Sequence, residues 1–159
     1  MPTITGALRR DAAALYDAAT AFIRRYQFRD RNQALRFGLT VVQAYALDLL
    51  VDADGAVRLG DLAAALHLDK STMSRVVAGM KRRGLVEWSR SPDDARAMAI
   101  AATGDGRGRY RRLRAAIVRD NARLLADYTP AERRAIVAAL RQLAGRRRAS
   151  RESAVESRE

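Results

Sequence analysis

Cysteine is absent from all 159 residues. That excludes disulfides, thiol-based redox sensing and every zinc site that needs a thiolate. Histidine occurs once, as His67, and one imidazole without cysteine makes a poor metal site, so no metal or cofactor is expected. Lysine is nearly missing as well: of the 30 basic residues only Lys70 and Lys81 are lysine. There is no long hydrophobic run. The longest, Gly38 to Val51, contains Gln43 and Asp48 and is too short to span a bilayer. The opening MPTITGALRRDAAALY turns charged and amphipathic at once, unlike a secretory leader. No nucleophile stands with a base, and no glycine loop has phosphate-binding spacing, so an enzyme is not expected. The expectation is a soluble, cytoplasmic chain that is not an enzyme.

Apolar residues, in contrast, make up 48% of the chain, enough for a core and too many for disorder. The length fits one domain, or one domain with helical extensions used for assembly. A net charge of +12 calls for an anionic partner, with nucleic acid ahead of a membrane surface. Part of the arginine excess is what a GC-rich genome produces without selection, so position carries more information than the total.

The periodicity predicts a mainly α chain. Leu8, Ala12, Leu15, Ala19, Phe22 and Tyr26 recur every three or four residues and form the apolar stripe of a first helix of about five turns, over 6–28. The charged stretch RDRNQALR, 29–36, reads as a break. Thr40-Val-Val-Gln43 is a capping-box pattern opening a second helix through Ala44, Leu47 and Leu50, which ends near the turn signal Asp52-Ala-Asp-Gly55. Gly60 to Leu66 reads as a short third helix. Asp69 is a good cap for a fourth helix from Lys70, with Met73, Val76, Val77 and Met80 on one face and Ser71, Ser74, Arg75, Ala78 and Lys81 on the other or at its edges. Gly84 ends it. Two helices joined by three residues, the second presenting small polar and basic side chains, is the layout of a helix-turn-helix.

Leu85–Ser89 and Ala97–Ala101 alternate enough for short strands, and Arg90-Ser-Pro-Asp-Asp-Ala-Arg96 between them is rich in turn formers. A hairpin in that place is a wing. A long helix follows from about Arg107 to Tyr128, with Tyr110, Leu113, Ile117, Leu124 and Leu125 as its stripe. Thr129-Pro-Ala-Glu132 is a full start signal for a last helix using Ile136, Val137, Leu140 and Leu143, stopping near Gly145. Residues 146–159 lack apolar content and read as a frayed, disordered basic tail.

In the order of these elements the chain resembles the multiple antibiotic resistance regulator (MarR) family of bacterial transcription factors. LTVVQAYAL at 39–47, LAAALHLDKSTMSRVVAGMKRRGLVE at 62–87, SPDDARAMAIAAT at 91–103 and the TPAE helix carry the resemblance, which covers nearly the whole chain. The family's Asp-x-Arg wing signature falls on Asp94 and Arg96. Two departures stand out. Arg58 occupies the place of the usual Ser or Thr cap of the third helix, so that cap is weaker or supplied otherwise. Ala102-Thr-Gly-Asp-Gly106 is richer in glycine than the family pattern and is expected to be more flexible.

The resemblance implies a winged helix-turn-helix over about 40–103 within one domain, 1–145, with dimerisation helices at 6–28 and 107–145. Those helices carry more apolar surface than a small winged helix buries alone, and Leu8, Leu15, Phe22, Ile136, Leu140 and Leu143 are the candidate dimer residues. An intrachain partner would also cover them.

The candidate DNA contacts fall in two places. Ser71, Thr72, Ser74 and Arg75 lie on the segment that enters the major groove in helix-turn-helix proteins, and Lys70 and Lys81 on the same helix are phosphate contacts. Arg75 paired bidentately with guanine discriminates by about 1–3 kcal/mol. Alternatively Ser71 and Thr72 only cap the helix and Arg75 is solvated. In the wing, Arg90 is a phosphate contact. Arg96 either pairs with Asp94 and stiffens the turn or, as the resemblance implies, enters the minor groove with Asp94 orienting it. Arg82 and Arg83 cover the helix end. The cluster Arg107 to Arg114 either tracks phosphates or is codon bias on an exposed face.

Members of the resembled family often bind small aromatic or anionic compounds between the dimerisation helices and the winged domain. Tyr16, Tyr45 and Trp88 face such a cavity or are plain core. The expected function is a homodimeric DNA-binding regulator, a repressor of a pseudo-palindromic operator released by a small ligand. The alternatives are a ligand-independent architectural DNA-binding protein and a winged-helix protein-interaction module.

Overall fold

The computed structural model describes residues 5–53, 55–90 and 98–156, with Phe28, Ser89, Arg90, Met98 and 146–156 as backbone alone. The chain forms two units, Met1–Ile117 and Val118–Glu159.

The first helix, α1, runs unbroken over Gly6–Arg36. The break expected at 29–36 is therefore replaced by two further turns of helix. That stretch holds no proline or glycine, and its charges pair along the helix flank: Arg29 bridges Asp30 at 3.1 Å and lies 3.9 Å over the Tyr26 ring. Ala34 from the same stretch is buried in the core. The real breaker is Gly38, with φ at 67°, a left-handed conformation that costs glycine nothing. The amide of Leu39 then reaches back to the carbonyl of Ala34 at 2.9 Å, closing a Schellman motif.

Helix α2, Val41–Asp52, opens with the capping box read from the sequence. The amide of Gln43 donates to Thr40 Oγ1 at 3.2 Å, and the amide of Thr40 donates to Gln43 Oε1 at 3.1 Å. A two-residue strand, β1 (Val57–Arg58), leads into α3 (Leu59–Ala65), whose cap residue Arg58 makes no side-chain cap hydrogen bond. His67 stands at φ 55° and closes α3 with the same motif, Leu68 bonding back to Ala63. Helix α4, Lys70–Arg82, ends at Gly84 with φ 68°, and Leu85 bonds back to Met80 at 3.0 Å.

Strands β2 (Val86–Arg90) and β3 (Met98–Ala102) pair antiparallel, with Trp88 opposite Ile100. Strand β1 adds to the far side of β3, giving the order β1-β3-β2. The sequence reading missed β1, because two residues are too few to alternate. The core lies between α2, α4 and this sheet: Leu47, Leu50, Leu62, Met73, Val77, Met80 and Ile100 are fully buried.

Helix α5, Gly104–Leu124, starts three residues earlier than the periodicity suggests because Thr103 caps it. Its Oγ1 accepts from the amide of Gly106 at 3.1 Å and donates to the carbonyl of Gly84 at 2.6 Å. The flexibility expected of the glycine-rich stretch gives way to close packing. Gly106 is buried, and a β carbon there would lie 2.0 Å from the Leu85 carbonyl oxygen. Glycine serves here for close approach rather than for freedom.

Helix α6 spans Pro130–Glu156, past Gly145 where the apolar pattern stops. It begins with the capping box of Thr129 and Glu132, the Thr129 amide donating to Glu132 Oε2 at 2.8 Å. That bond and the Thr129 hydroxyl hold the Glu132 carboxyl below the usual range. Among the described residues no single helix is long and apolar enough to cross a membrane.

Candidate nucleic-acid interface

Helices α3 and α4 form the helix-turn-helix, and α4 has two distinct sides. Met73, Val77 and Met80 are sealed into the core, while Lys70, Ser71, Arg75 and Lys81 are exposed. Thr72 and Ser74 are half-buried at the edges. The exposed edge begins at the amino-terminal tip, and there the side chains are organised by Asp69.

Asp69 does more than cap. Its Oδ1 accepts from the amide of Thr72 at 2.7 Å and from Ser71 Oγ at 2.5 Å, and its Oδ2 accepts from Thr72 Oγ1 at 2.7 Å. Thr72 Oγ1 in turn accepts from Arg75 Nη2 at 3.2 Å. The Ser71 hydroxyl first, then the Thr72 amide and hydroxyl, hold the Asp69 carboxyl well below the usual carboxylate range. An ionised carboxylate accepts only, so the hydroxyl protons of Ser71 and Thr72 must both point at Asp69. Arg75 is left with one bond to Thr72 and an otherwise outward guanidinium fork.

The other basic residues of α4 divide by role. Lys70 lies over the start of α3, its Cε 3.3 Å from where a β carbon on Gly60 would stand. The Lys81 ammonium stands 5.2 Å over the Trp88 ring, a cation–π distance that joins the end of α4 to strand β2. Arg83 reaches further than covering the helix end. Its Nη1 donates to Gln43 Oε1 at 3.1 Å and its Nη2 to the carbonyl of Gly38. Arg109 from α5 reaches the same corner, donating to the carbonyl of Phe37 at 3.4 Å and to Asp105 at 3.3 Å. Two cations thus close the carboxyl end of α1, where exposed carbonyls and the helix dipole favour positive charge. The arginine cluster of α5 therefore splits: Arg109 is a structural clamp, whereas Arg111, Arg112 and Arg114 are exposed.

The wing strands flank this surface. The backbone of Arg90 pairs with Met98 at the open end of the β2–β3 ladder. Asp94 and Arg96, the wing-tip residues singled out in the sequence, lie outside the described residues.

The three candidate pocket aromatics are not brought together. Tyr16 is 71% exposed beside an open groove of about 610 Å³ lined by α1 residues alone, including Arg24 and Arg25 but neither Tyr45 nor Trp88. Tyr45 is half exposed on α2, its hydroxyl pKa raised by burial and then by Asp30 and Asp48. Trp88 packs on the core, its indole nitrogen buried without a hydrogen-bond partner. Sequence reasoning missed a part-buried polar pair nearby. The Tyr110 hydroxyl donates to Asp48 Oδ1, and burial, then that bond and charge, push its pKa up.

Of the candidate dimer residues, Leu8, Leu15, Phe22, Leu140 and Leu143 are exposed and Ile136 is half-buried. Phe22 stacks on Tyr26 with ring centroids 3.9 Å apart. Each of the two helices thus carries exposed apolar side chains along its stripe.

Residues 37–97 match the MarR family, a span that runs from the α1–α2 corner to the residue before β3. A comparison with the sequences of curated proteins finds no match. Among solved structures, a MarR family protein from Bacillus stearothermophilus superposes with a TM-score of 0.79 at 24% identity, over 87% of this chain and 96% of that one. A MarR family transcription regulator at 28% identity gives 0.74, over 89% of this chain and 94% of the other. The PcaV transcriptional regulator from Streptomyces coelicolor, solved with its natural ligand, gives 0.62 at 28% identity, over 82% and 94%. The helix-turn-helix, the wing strands behind it and the match over residues 37–97 are thus those of the MarR family, and the architecture along most of the chain is that of solved MarR family proteins.

Proposed function

We propose that the protein is a homodimeric transcription repressor that occupies a pseudo-palindromic operator. The MarR family fold supports DNA-binding transcriptional regulation in general. The observation that carries the reading is the division of α4 into a sealed apolar side and an exposed edge bearing Ser71, Arg75 and Lys81. A helix held that firmly presents its edge as a rigid reader. Arg75 takes guanine and Ser71 a neighbouring base, with Thr72 and Ser74 at the edges of the contact. Lys70, Lys81 and Arg90 take phosphates, which supply affinity without choosing sequence. Arg96, oriented by Asp94, enters the minor groove beside the wing. The apolar stripes of α1 and α6 close a two-fold dimer that places two recognition helices about one DNA turn apart.

Release by a small aromatic or anionic ligand is the regulatory part of the proposal. Support comes from the PcaV regulator, which was solved with a natural ligand. Tyr16 lines the open groove on α1, and Tyr45 stands half exposed on α2.

Selection of bound duplexes from a random pool, followed by salt titration of the winning site, tests the reading. The expected result is one inverted repeat whose affinity falls steeply with salt, by a slope of about −0.9 for each phosphate contacted. Equal affinity for every duplex means an architectural protein instead. No binding to any duplex means an interaction module.

A further inference from the structure

Resting on the DNA-binding reading, one feature of the recognition tip predicts what kind of base it can read. A serine hydroxyl usually serves as donor or acceptor, because its proton rotates to suit the partner. Ser71 lacks that choice. Its Oγ lies 2.5 Å from Asp69 Oδ1, and of those two groups only the hydroxyl has a proton to give. The Thr72 hydroxyl is committed to the other carboxylate oxygen at 2.7 Å, and its lone pair already receives Arg75 at 3.2 Å. Ser71 is exposed, so what it offers outward is lone pairs alone.

We propose that Asp69 fixes the polarity of the reading tip, leaving Ser71 Oγ a pure acceptor, so that one position of each half-site is read as an amino-bearing base, adenine or cytosine. In the major groove adenine shows N6–H2 and cytosine N4–H2, whereas guanine O6 and N7 and thymine O4 are acceptors. An acceptor-only oxygen meets the first pair with a hydrogen bond and the second with lone-pair repulsion. Phosphate oxygens are refused for the same reason. The fork of Arg75, held by Thr72, has the opposite polarity and suits guanine. The tip therefore carries one acceptor and one donor group, ordered by a single carboxylate.

The test is the random-pool selection repeated with the full chain as wild type, Ser71→Ala, Asp69→Gly and Asp69→Asn. Ser71→Ala identifies the position that Ser71 reads. At that position the wild type should favour adenine and cytosine over guanine and thymine by about threefold to tenfold, the range of one net hydrogen bond. Asp69→Gly frees the Ser71 proton and should erase the preference while leaving the guanine read by Arg75 enriched. Asp69→Asn, which keeps a side-chain cap and guards against loss of folding, should weaken the preference in the same direction. If Ser71→Ala alters no position, if the altered position is guanine or thymine, or if both Asp69 variants keep the wild-type preference, the inference is wrong and the regulator reading stands. A wild-type pool returned without any enrichment overturns both.

Discussion

A β carbon on Gly106 would stand 2.0 Å from the carbonyl oxygen of Leu85, so the first turn of α5 sits against the backbone that follows the recognition helix with no room for a methyl group. In an ordinary exposed helix, glycine to alanine stabilises by about 1 kcal/mol. Here the sign reverses. Gly106→Ala should destabilise by about 1–3 kcal/mol, the usual cost of overpacking, and lower the melting temperature by roughly 3–10 °C. Thermal unfolding against wild type measures it, and a melting point at or above wild type would contradict this packing.

Tyr110 and Asp48 form a part-buried polar contact of α5 with α2. Tyr110→Phe should cost about 1.5–3 kcal/mol, the range for a hydrogen bond to a charged group. The folded-state pKa of this tyrosine is raised above its unfolded value near 10. Its stabilisation is therefore fully present below about pH 10 and is lost as pH rises beyond it. Denaturant unfolding at pH 8 and in the alkaline range should show the wild-type advantage over Tyr110→Phe shrinking with pH. A gap that is constant with pH would contradict the bond.

His67 closes α3 at φ 55°, where a β carbon is disfavoured by about 1–2 kcal/mol. His67→Gly should raise stability by up to about 1 kcal/mol, since part of the gain is offset by a freer unfolded chain. His67→Val should lower it. Urea midpoints of the two variants must lie on opposite sides of wild type.

Arg75→Ala should relax base preference at one position per half-site, by about 1–3 kcal/mol, and leave the rest of the site intact. Competition binding with point-substituted operators reads this directly. A loss spread evenly over all sequences would make Arg75 a phosphate contact.

Leu15 and Phe22 are each about half exposed, 52% and 46%, on a stripe that a dimer would cover. Sedimentation of Leu15→Glu/Phe22→Glu should give a monomer where wild type gives a dimer, together with loss of operator affinity and retention of the helical spectrum. A wild-type monomer that binds the full operator would remove the dimer from the proposal.

Legibility in the sequence followed the range of each interaction. The two Thr capping boxes, at Thr40 and Thr129, were readable because donor and acceptor lie three residues apart. The apolar side of α4 was readable because a helix repeats its face. Bonds that cross the fold leave no local trace: Tyr110 finds Asp48, and Arg83 finds Gly38 and Gln43, only after α1, α2, α4 and α5 have met. The charged run at 29–36 misled for a related reason. Charge in a sequence marks solvent, and solvent touches one flank of a helix as readily as a loop. At the tip of α4 the residue types were legible, but the proton directions depend on distances to Asp69.

The corner where Arg83 and Arg109 grip the carbonyls of Gly38 and Phe37 is held by hydrogen bonds to peptide oxygens, with no carboxylate in that grip. Guanidinium keeps its proton at any ordinary pH, and a peptide carbonyl has none to gain. Acid therefore weakens the molecule unevenly. Asp69, whose carboxyl is held well below the usual carboxylate range, keeps its charge until strong acid and then gives up the hydroxyl bonds that order the tip of α4. The joint between α1 and α4 stays shut, so an acid-softened form should lose its grip on DNA before its long first helix parts from the domain.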